Sequence, residues 1–554
     1  MQSHYLQRVI RRLFAALPKA LLFTQPNWQW LCHYPAVTPT DTLLQKWNTS
    51  CWEEYQRWLS KQSLETAADW LLRHQADLHW QNPPRISIVT PVYNTTSEVL
   101  YECMLSVRMQ TYPYWQWILV DDGSTRPETL ALLRSGVCND PRIQIIFCEK
   151  SQGISMATNR ALAEAKGDYV VFLDHDDRLA LEALSLIAHE IDANPQVDIL
   201  YSDRDMLSED GERYLHLFKP DWSPETLLSG NYIFHLLCYK RDLLNRLGGL
   251  RPEYDGSQDY DLILRAAETK PTVRHIAKIL YHWRQHSASV ALNDGAKEYA
   301  FQAGICALND TLRRRGINGD AQEIPDFWRG TYQLNLTPPD KNTLQIISLN
   351  VSQCREQYAA FIAHEISRTE RPYIAIISDA ITPATSDTLL RLSAWLMLDD
   401  VGLATGKIIN TQGALDSIGM VYNQDASLMY PYRNFPQTEP GYRGVTHITR
   451  NISAPYPSCV IIRREVWQQL QGFKPSLKGP HALLDFALRG LNSGWRSVVV
   501  PQCVFIQSGV PFVADAFTED DAHFQQAWAA TLQSGDPYYN PNLAQHSSDM
   551  GLDI

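Results

Sequence analysis

A chain of 554 residues with 45% hydrophobic and 20% charged side chains has the balance of a globular protein and the length for about two to four domains with sizeable cores. Its formal net charge of −12 speaks against a protein that coats nucleic acid. No run of about 18 apolar residues occurs, so no membrane-spanning helix is predicted. No secretory leader is predicted either, because "MQSHYLQRVIRRLFAALPKALLF" lacks a clear apolar core and a cleavage site. The 10 cysteines are scattered without a C-x-x-C pair. That pattern predicts reduced, mostly packed thiols in a cytoplasmic protein, not a disulfide frame or a zinc site.

Residues 4–17 place Tyr5, Leu6, Val9, Ile10, Leu13, Phe14 and Leu17 at helical spacing beside Arg8, Arg11 and Arg12. A basic amphipathic helix of this kind lies either on an anionic membrane surface or against the protein's own core. Residues 1–83 read as a helical, Trp-rich region that ends at the chain breaker "NPP". Beyond it "RISIVTPVYN" predicts a buried strand, residues 97–110 a helix, "WQWILVDDGS" a second strand and "RIQIIFCE" a third. "SMATNRALAEAKG" predicts a helix stopped by Gly167, and "DYVVFLDHDD" a fourth strand. This alternation predicts an α/β fold with a mostly parallel sheet and ligands at the carboxyl ends of the strands. Acids stand at those ends: Asp121 and Asp122 after one strand, Asp174, Asp176 and Asp177 after another.

The chain also repeats itself. "HLLCYKRDLLNRLGGLRPEYDG" from residue 235 parallels "PSCVIIRREVWQQLQGFKPSLKG" from residue 457. "DLILRAAE" at 261 parallels "DFALRGLN" at 485, and "YVVFLDHDD" at 169 parallels "YIAIISDAI" at 373. Two related α/β units are therefore predicted, the second beginning near residue 340 and having no clear counterpart of "PVYN" or "VDDGS". The tail after residue 510 reads as one helix and an extended end.

Residues two apart on an extended chain face the same side, so the charges of Asp174 and Asp176 stay close. A divalent cation relieves that repulsion, and hard oxygen ligands suit Mg²⁺ or Mn²⁺ completed by substrate phosphates and water. Asp177 precedes a helical segment and has the alternative reading of a helix cap.

With these residues in view, "ISIVTPVYN", "VDDGS", "FLDHDD", "GSQDYDLILR" and "LYHWRQHSAS" stand in the order found in family 2 glycosyltransferases of the GT-A fold, and the chain resembles that family. "KPDWSPETLLSGNYIFH" is typical of bacterial members that assemble surface polysaccharides. The resemblance implies a catalytic domain over residues 84–335, a degenerate GT-A-like domain over 340–510, and a C-terminal helix and tail over 511–554. It implies that Thr90, Pro91, Tyr93 and Asn94 line the base and ribose of a nucleotide-diphosphate sugar, with Tyr93 offering a stacking face. Asp122, with Asp121, would accept hydrogen bonds from base or ribose, and Asp203 would hold donor-sugar hydroxyls. Asp176 would ligate Mn²⁺ or Mg²⁺ directly, and Asp174 would touch ribose or metal-bound water. His282 would be a second metal ligand, with His286 competing for that role. Asp259 matches the general base.

These parts imply an inverting, metal-dependent transfer of a sugar to a hydroxyl of a growing surface glycan, on a lipid carrier or not. Aligned on the repeats, the second unit has Ser378 and Ala380 where the first has Asp174 and Asp176, with Asp379 in the slot of His175. Leu483 replaces Asp259, and the slot of His282 falls near Gln507. Both metal site and base are expected to be missing there. Two rival readings remain at this point. One is a non-catalytic glycan-binding or scaffolding protein on the same fold. The other is a sugar-phosphate nucleotidyltransferase, which the Gly-free and Lys-free "PVYNTTSE" disfavours.

Overall fold

The computed structural model describes residues 49–135, 139–208, 211–284, 298–350, 357–508 and 518–553. The amphipathic stretch at 4–17 and His286 lie outside the described residues. Helix Thr49–Leu78 leads in, and Tyr55 and Trp58 from it are buried. Among the described residues no helix is long and apolar enough to cross a membrane.

The first sheet contains β1 (Ile86–Val92), β2 (Trp115–Asp121), β3 (Ile143–Phe147), β4 (Tyr169–Phe172), β5 (Arg178–Leu179), β6 (Ile199–Leu207), β7 (Arg213–Leu217), β8 (Leu237–Lys240) and β9 (Val273–Arg284). Its order is β3-β2-β1-β4-β8-β6-β9-β5, with β7 added beside β6. From β3 to β4 every pairing is parallel. These strands are near-continuous apolar runs because helices cover both faces. Even the Thr90 hydroxyl is buried and accepts the indole N–H of Trp117 at 2.9 Å. The sheet becomes mixed at β8, which runs antiparallel to both β4 and β6. The alternating strand–helix pattern that suggests a mostly parallel sheet belongs to residues 86–172, and β8 breaks it.

The second sheet orders its strands Leu344–Leu349, Tyr373–Ser378, Cys459–Arg463, Val401–Asn410, Arg496–Gln507 and Ile381–Pro383. Their pairings run parallel, antiparallel, antiparallel, parallel, antiparallel. That is the series found along β1-β4-β8-β6-β9-β5. Among the described residues the second sheet has no counterparts of β2 and β3, the part of the first sheet that ends in Asp121 and Asp122. The repeat extends to side chains. Arg265 bonds Asp261 one helical turn earlier and the carbonyls of Leu247 and Gly249. Arg489 bonds Asp485 and the carbonyls of Leu470 and Gly472 in the same way. Each clamp ties a helix to the turn that precedes it, so the D-x-x-x-R spacing is structural in both units.

The two units share polar contacts that fix one on the other. Glu225, 1% exposed, receives both Nε (2.8 Å) and Nη2 (2.7 Å) of Arg496 and the amide of Asn451 (2.6 Å). The Asn451 Oδ1 in turn accepts the backbone N–H groups of Glu225 and Thr226, and the Ser229 hydroxyl donates to the Thr449 carbonyl. "WSPETLLSG" therefore serves to seat the second unit. The tail threads back as well: the Asn540 amide donates to Asp203 at 2.9 Å and to the Lys219 carbonyl at 2.8 Å.

Removing one partner of a buried ion pair strands the other charge. Arg496→Met should therefore lower unfolding stability by about 3 kcal/mol, and the double variant Glu225→Gln/Arg496→Met should recover a large part of it. Urea denaturation of the three proteins measures this.

Candidate active site

Strand β2 delivers Asp121 and Asp122 to a tight turn. Gly123 has φ +70°, and a Cβ there would sit 2.7 Å from the Ser151 nitrogen, so the "DDG" triplet needs glycine. Asp122 accepts the Ser151 hydroxyl (2.6 Å) and the backbone N–H groups of Gln152 (2.9 Å) and Gly153 (3.0 Å). It thereby fixes the approach to helix Ile154–Glu164, and Asp122 also lines a large cavity with carboxylate acceptor capacity to spare. Asp121 lies beneath it, 1% exposed, with Oδ1 lacking a hydrogen-bond donor. Asn94, at φ +47°, turns its side-chain oxygen back onto the N–H groups of Thr125 (2.7 Å) and Arg126 (3.0 Å). The ring of Tyr93, 48% exposed, stands free at this end.

The loop after β4 is pinned from three sides. The His175 Nδ1–H donates to the Pro91 carbonyl at 2.9 Å. The Asp174 N–H donates to the Tyr281 hydroxyl at 3.2 Å. Asp177 accepts that hydroxyl at 2.6 Å and the Arg284 N–H at 2.7 Å. Asp177 is thus a buried anchor to β9, not a helix cap. Asp174 and Asp176 face the cavity. Enclosure, then the charges of Asp176 and Asp259, push the Asp174 carboxyl up to about 7. Asp259 lies in the first turn of helix Gln258–Glu268. Its Oδ2 accepts the Asn231 amide at 2.9 Å and its Oδ1 the Tyr260 N–H at 2.8 Å. Burial raises its pKa above the ordinary 3.8, against those hydrogen bonds, which lower it.

One cavity of about 1630 Å³ collects Pro91, Tyr93, Asn94, Asp122, Asp174, Asp176 and Asp259. Four expected residues do not line it. Thr90 and Asp121 are buried below the wall. Asp203 is fully buried and is taken by His275 (2.9 Å), the Lys219 N–H (2.8 Å) and Asn540, so it is a strut between the tail and β6. His282 follows Tyr281 on β9 and so points to the opposite face. There its Nδ1 donates to Asp205 at 2.5 Å, and Asp205 is held in turn by Tyr55 and Arg213.

The histidine beside the aspartates is His235, for which the sequence offers no signal beyond its place in "NYIFH". Its Nε2 lies 3.6 Å from Asp174 Oδ2, and its ring stacks on Tyr281. Ligand-capable atoms of Asp174, Asp177 and His235 lie within 4.8 Å of one another.

With this geometry in place, likeness to known proteins becomes informative. Residues 87–248 match the family model for glycosyl transferase family 2. Glycosyltransferase GlyG of Streptococcus pneumoniae is 32% identical over 278 residues, 49% of this chain and 80% of that protein. The chain belongs to glycosyltransferase family 2.

Another relative runs along most of the chain: O-antigen biosynthesis protein RfbC of Myxococcus xanthus, 31% identical over 524 residues. That match takes in 85% of this chain and 41% of the relative, so the chain spans less than half of that protein's length. Chondroitin synthase of Escherichia coli is 30% identical over 237 residues, 42% of this chain and 33% of that protein. Among solved structures, S. aureus TarS 1–349 in complex with UDP-GlcNAc aligns at 21% identity over 41% of this chain and 66% of that chain. Its TM-score is 0.34, too slight a likeness to build upon.

Many family 2 enzymes use a divalent cation, and the residues present fit one. Asp174 and His235 offer an oxygen and a nitrogen close together, with Asp176 adjacent. Burial, with Arg204 and Lys219, pushes His235 down to about 3, so its imidazole is neutral and able to ligate. Carboxylate and imidazole together suit a divalent metal ion. Asp177 contributes less, because both its oxygens already accept protein donors.

His235→Ala should weaken Mn²⁺-dependent UDP binding about 10- to 100-fold. His282→Gln, which keeps a donor for Asp205, should leave it unchanged. Calorimetric titration of UDP with and without Mn²⁺ measures both.

Proposed function

We propose that this protein transfers a hexosyl group, with inversion, from a nucleotide-diphosphate sugar to a hydroxyl of a bacterial surface glycan of the O-antigen or capsule type. The observation that carries the reading is the placement of Asp259 in the same cavity as Asp174 and Asp176, near enough for its charge to raise the Asp174 pKa. The names of the relatives, O-antigen biosynthesis protein and chondroitin synthase, support the glycan class.

The nucleotide would lie against Tyr93 and Asp122, at the end of the cavity formed by β1 and β2. The diphosphate would reach the loop at 174–176. A cation held by Asp174, Asp176 and His235 would supply charge neutralisation for the departing diphosphate. The acceptor hydroxyl attacks the anomeric carbon, and its proton passes to Asp259 Oδ2 or Oδ1. The bond from that carbon to the phosphate oxygen breaks, and the electron pair leaves on the nucleotide diphosphate. One displacement inverts the centre, and no second nucleophilic carboxylate is needed. Asn231 and the Tyr260 N–H hold Asp259 in one orientation, and burial lifts its pKa, which makes it a better base than a surface carboxylate. We place the protein in the cytoplasm, with residues 4–17 as a peripheral contact to the membrane face.

Asp259→Asn should lower turnover about 10³-fold while leaving UDP affinity unchanged, as read by release of nucleotide diphosphate and by calorimetry. The base works deprotonated, so activity should fall as pH drops through the raised pKa of Asp259. The acid limb of kcat/KM should therefore lie above the ordinary carboxylate value of 3.8. A pH profile with the limb at or below that value, or full activity in Asp259→Asn, would remove Asp259 from the role of base.

A further inference from the structure

The cavity does not end with the catalytic unit. Its far wall comes from the second unit, including Tyr442, Arg443 and Arg450. Along the first sheet, β1 and β2 end at Tyr93 and Asp122, β4 leads to Asp174 and Asp176, and β6 lies two strands further on. Arg443 stands at this third position. Its charge is felt by Arg204 on β6, by Lys219 after β7 and by His216 on β7. The nucleotide end and the Arg443 end are thus on opposite sides of the aspartates. A donor seated at the first leaves the second for the acceptor.

Arg443 is unusual among the cations that line this cavity. Arg126 pairs with Glu128, Arg329 with Glu298 and Glu323, and Arg450 donates to the carbonyls of Val445 and Ile418. Lys219 spends its ammonium on four carbonyls, of Ser202, Ile233, Phe234 and His235. No hydrogen bond or ion pair joins the guanidinium of Arg443 to another described residue. Arg204, 4% exposed, has Nε and Nη1 without acceptors and is held between the rings of Phe234 and Trp283, with the charges of Asp177 and Asp205 in its favour. A guanidinium with no carboxylate bonded to it, lining a partly desolvated cavity, is a standing electrostatic cost that an anion would relieve.

The position of Arg443 is also built. It has φ +59° between Gly441 at +65° and Gly444 at +78°, a backbone that a non-glycine residue holds at a cost of about 1 kcal/mol or more. Next to it, the Tyr442 hydroxyl accepts the Phe218 N–H of the catalytic unit at 2.9 Å. The second unit is docked by Glu225 and Arg496 so that this turn faces the cavity.

We propose that Arg443, supplied by the second unit, binds an oxyanion carried by the acceptor glycan, a carboxylate or a phosphate, so that the second unit selects acidic chains. This rests on the glycosyltransferase reading above, and the test keeps the two apart.

The purified full chain is titrated with D-glucuronate, glucose 6-phosphate, methyl glucoside and inorganic phosphate, and separately with UDP plus Mn²⁺. Tryptophan fluorescence from Trp283 and Trp328, which line the cavity, reports binding. At least one acidic sugar should bind about tenfold or more tightly than methyl glucoside, and which one does so tells carboxylate from phosphate. Arg443→Gln should erase that preference, Arg443→Lys should keep part of it, and UDP affinity should be unchanged in both. The proposal is overturned if wild type shows no preference, if Arg443→Gln retains it, or if inorganic phosphate binds as tightly as the sugars. It is also overturned if both variants keep the wild-type melting temperature and lose UDP affinity, which would assign Arg443 to the donor. Failure of wild type to bind UDP at all would count against a uridine-nucleotide donor at the site proposed above, and not against the role of Arg443.

Discussion

Asp174, Asp176 and Asp259 share one cavity, and the negative charges of Asp176 and Asp259 raise the free energy of an ionised Asp174. Left to themselves, such groups would separate or take up protons. The fold prevents the first by fixing the chain on both sides of the site. His175 is bonded to the strand that carries Pro91, Asp177 and the Asp174 N–H are bonded to Tyr281, and Asp259 is clamped between Asn231 and its own helix. The repulsion is thereby stored in rigid elements, where a cation or a transferred proton can relieve it.

The second unit belongs to the same logic. It has the six-strand core of the first and its Asp–Arg clamp, and among the described residues it lacks the two strands that would carry a nucleotide turn. Freed from that task, its surface closes the first unit's cavity. The contact passes through Glu225, whose segment continues within a few residues to Asn231 and so to Asp259. A change at the interface between the units is therefore mechanically adjacent to the proposed base. The tail adds a third tie through Asn540 and Asp203, which explains why an acid in "YSDRD" is buried where a substrate ligand was expected.

Much of this was legible in the order of residues. Strands β1 to β4 announce themselves as apolar runs, because a parallel sheet covered on both faces has no solvent side to mark with polar residues. The repeated D-x-x-x-R and the glycines that follow each preceding helix betray the duplication, because a clamp between one helical turn and one loop is local. Asp122, Asp174, Asp176 and Asp259 follow from acids placed at strand ends or at a helix start. His282 misled for an equally local reason: alternation on β9 sends it away from the face that Tyr281 occupies, and nothing in "YHWR" tells which face is which. Thr90 and Asp121 stand one residue from cavity-lining neighbours, and the pleat turns them inward.

The sequence by itself determined that there are two related α/β units, that the D-x-D pair Asp174 and Asp176 has no match in the second, where Ser378 and Ala380 stand, and that Asp259 has no acid counterpart there. Those features arise from contacts between residues close along the chain, or from periodicity imposed by a sheet. Only the tertiary structure decided that His235 rather than His282 stands by Asp174, that Asp177 is consumed by Tyr281 and Arg284, and that Arg443 enters the first unit's cavity. Each of these joins segments brought together by sheet order and by the docking of one unit on the other, and no local pattern in a single chain encodes which side chain a distant element will meet.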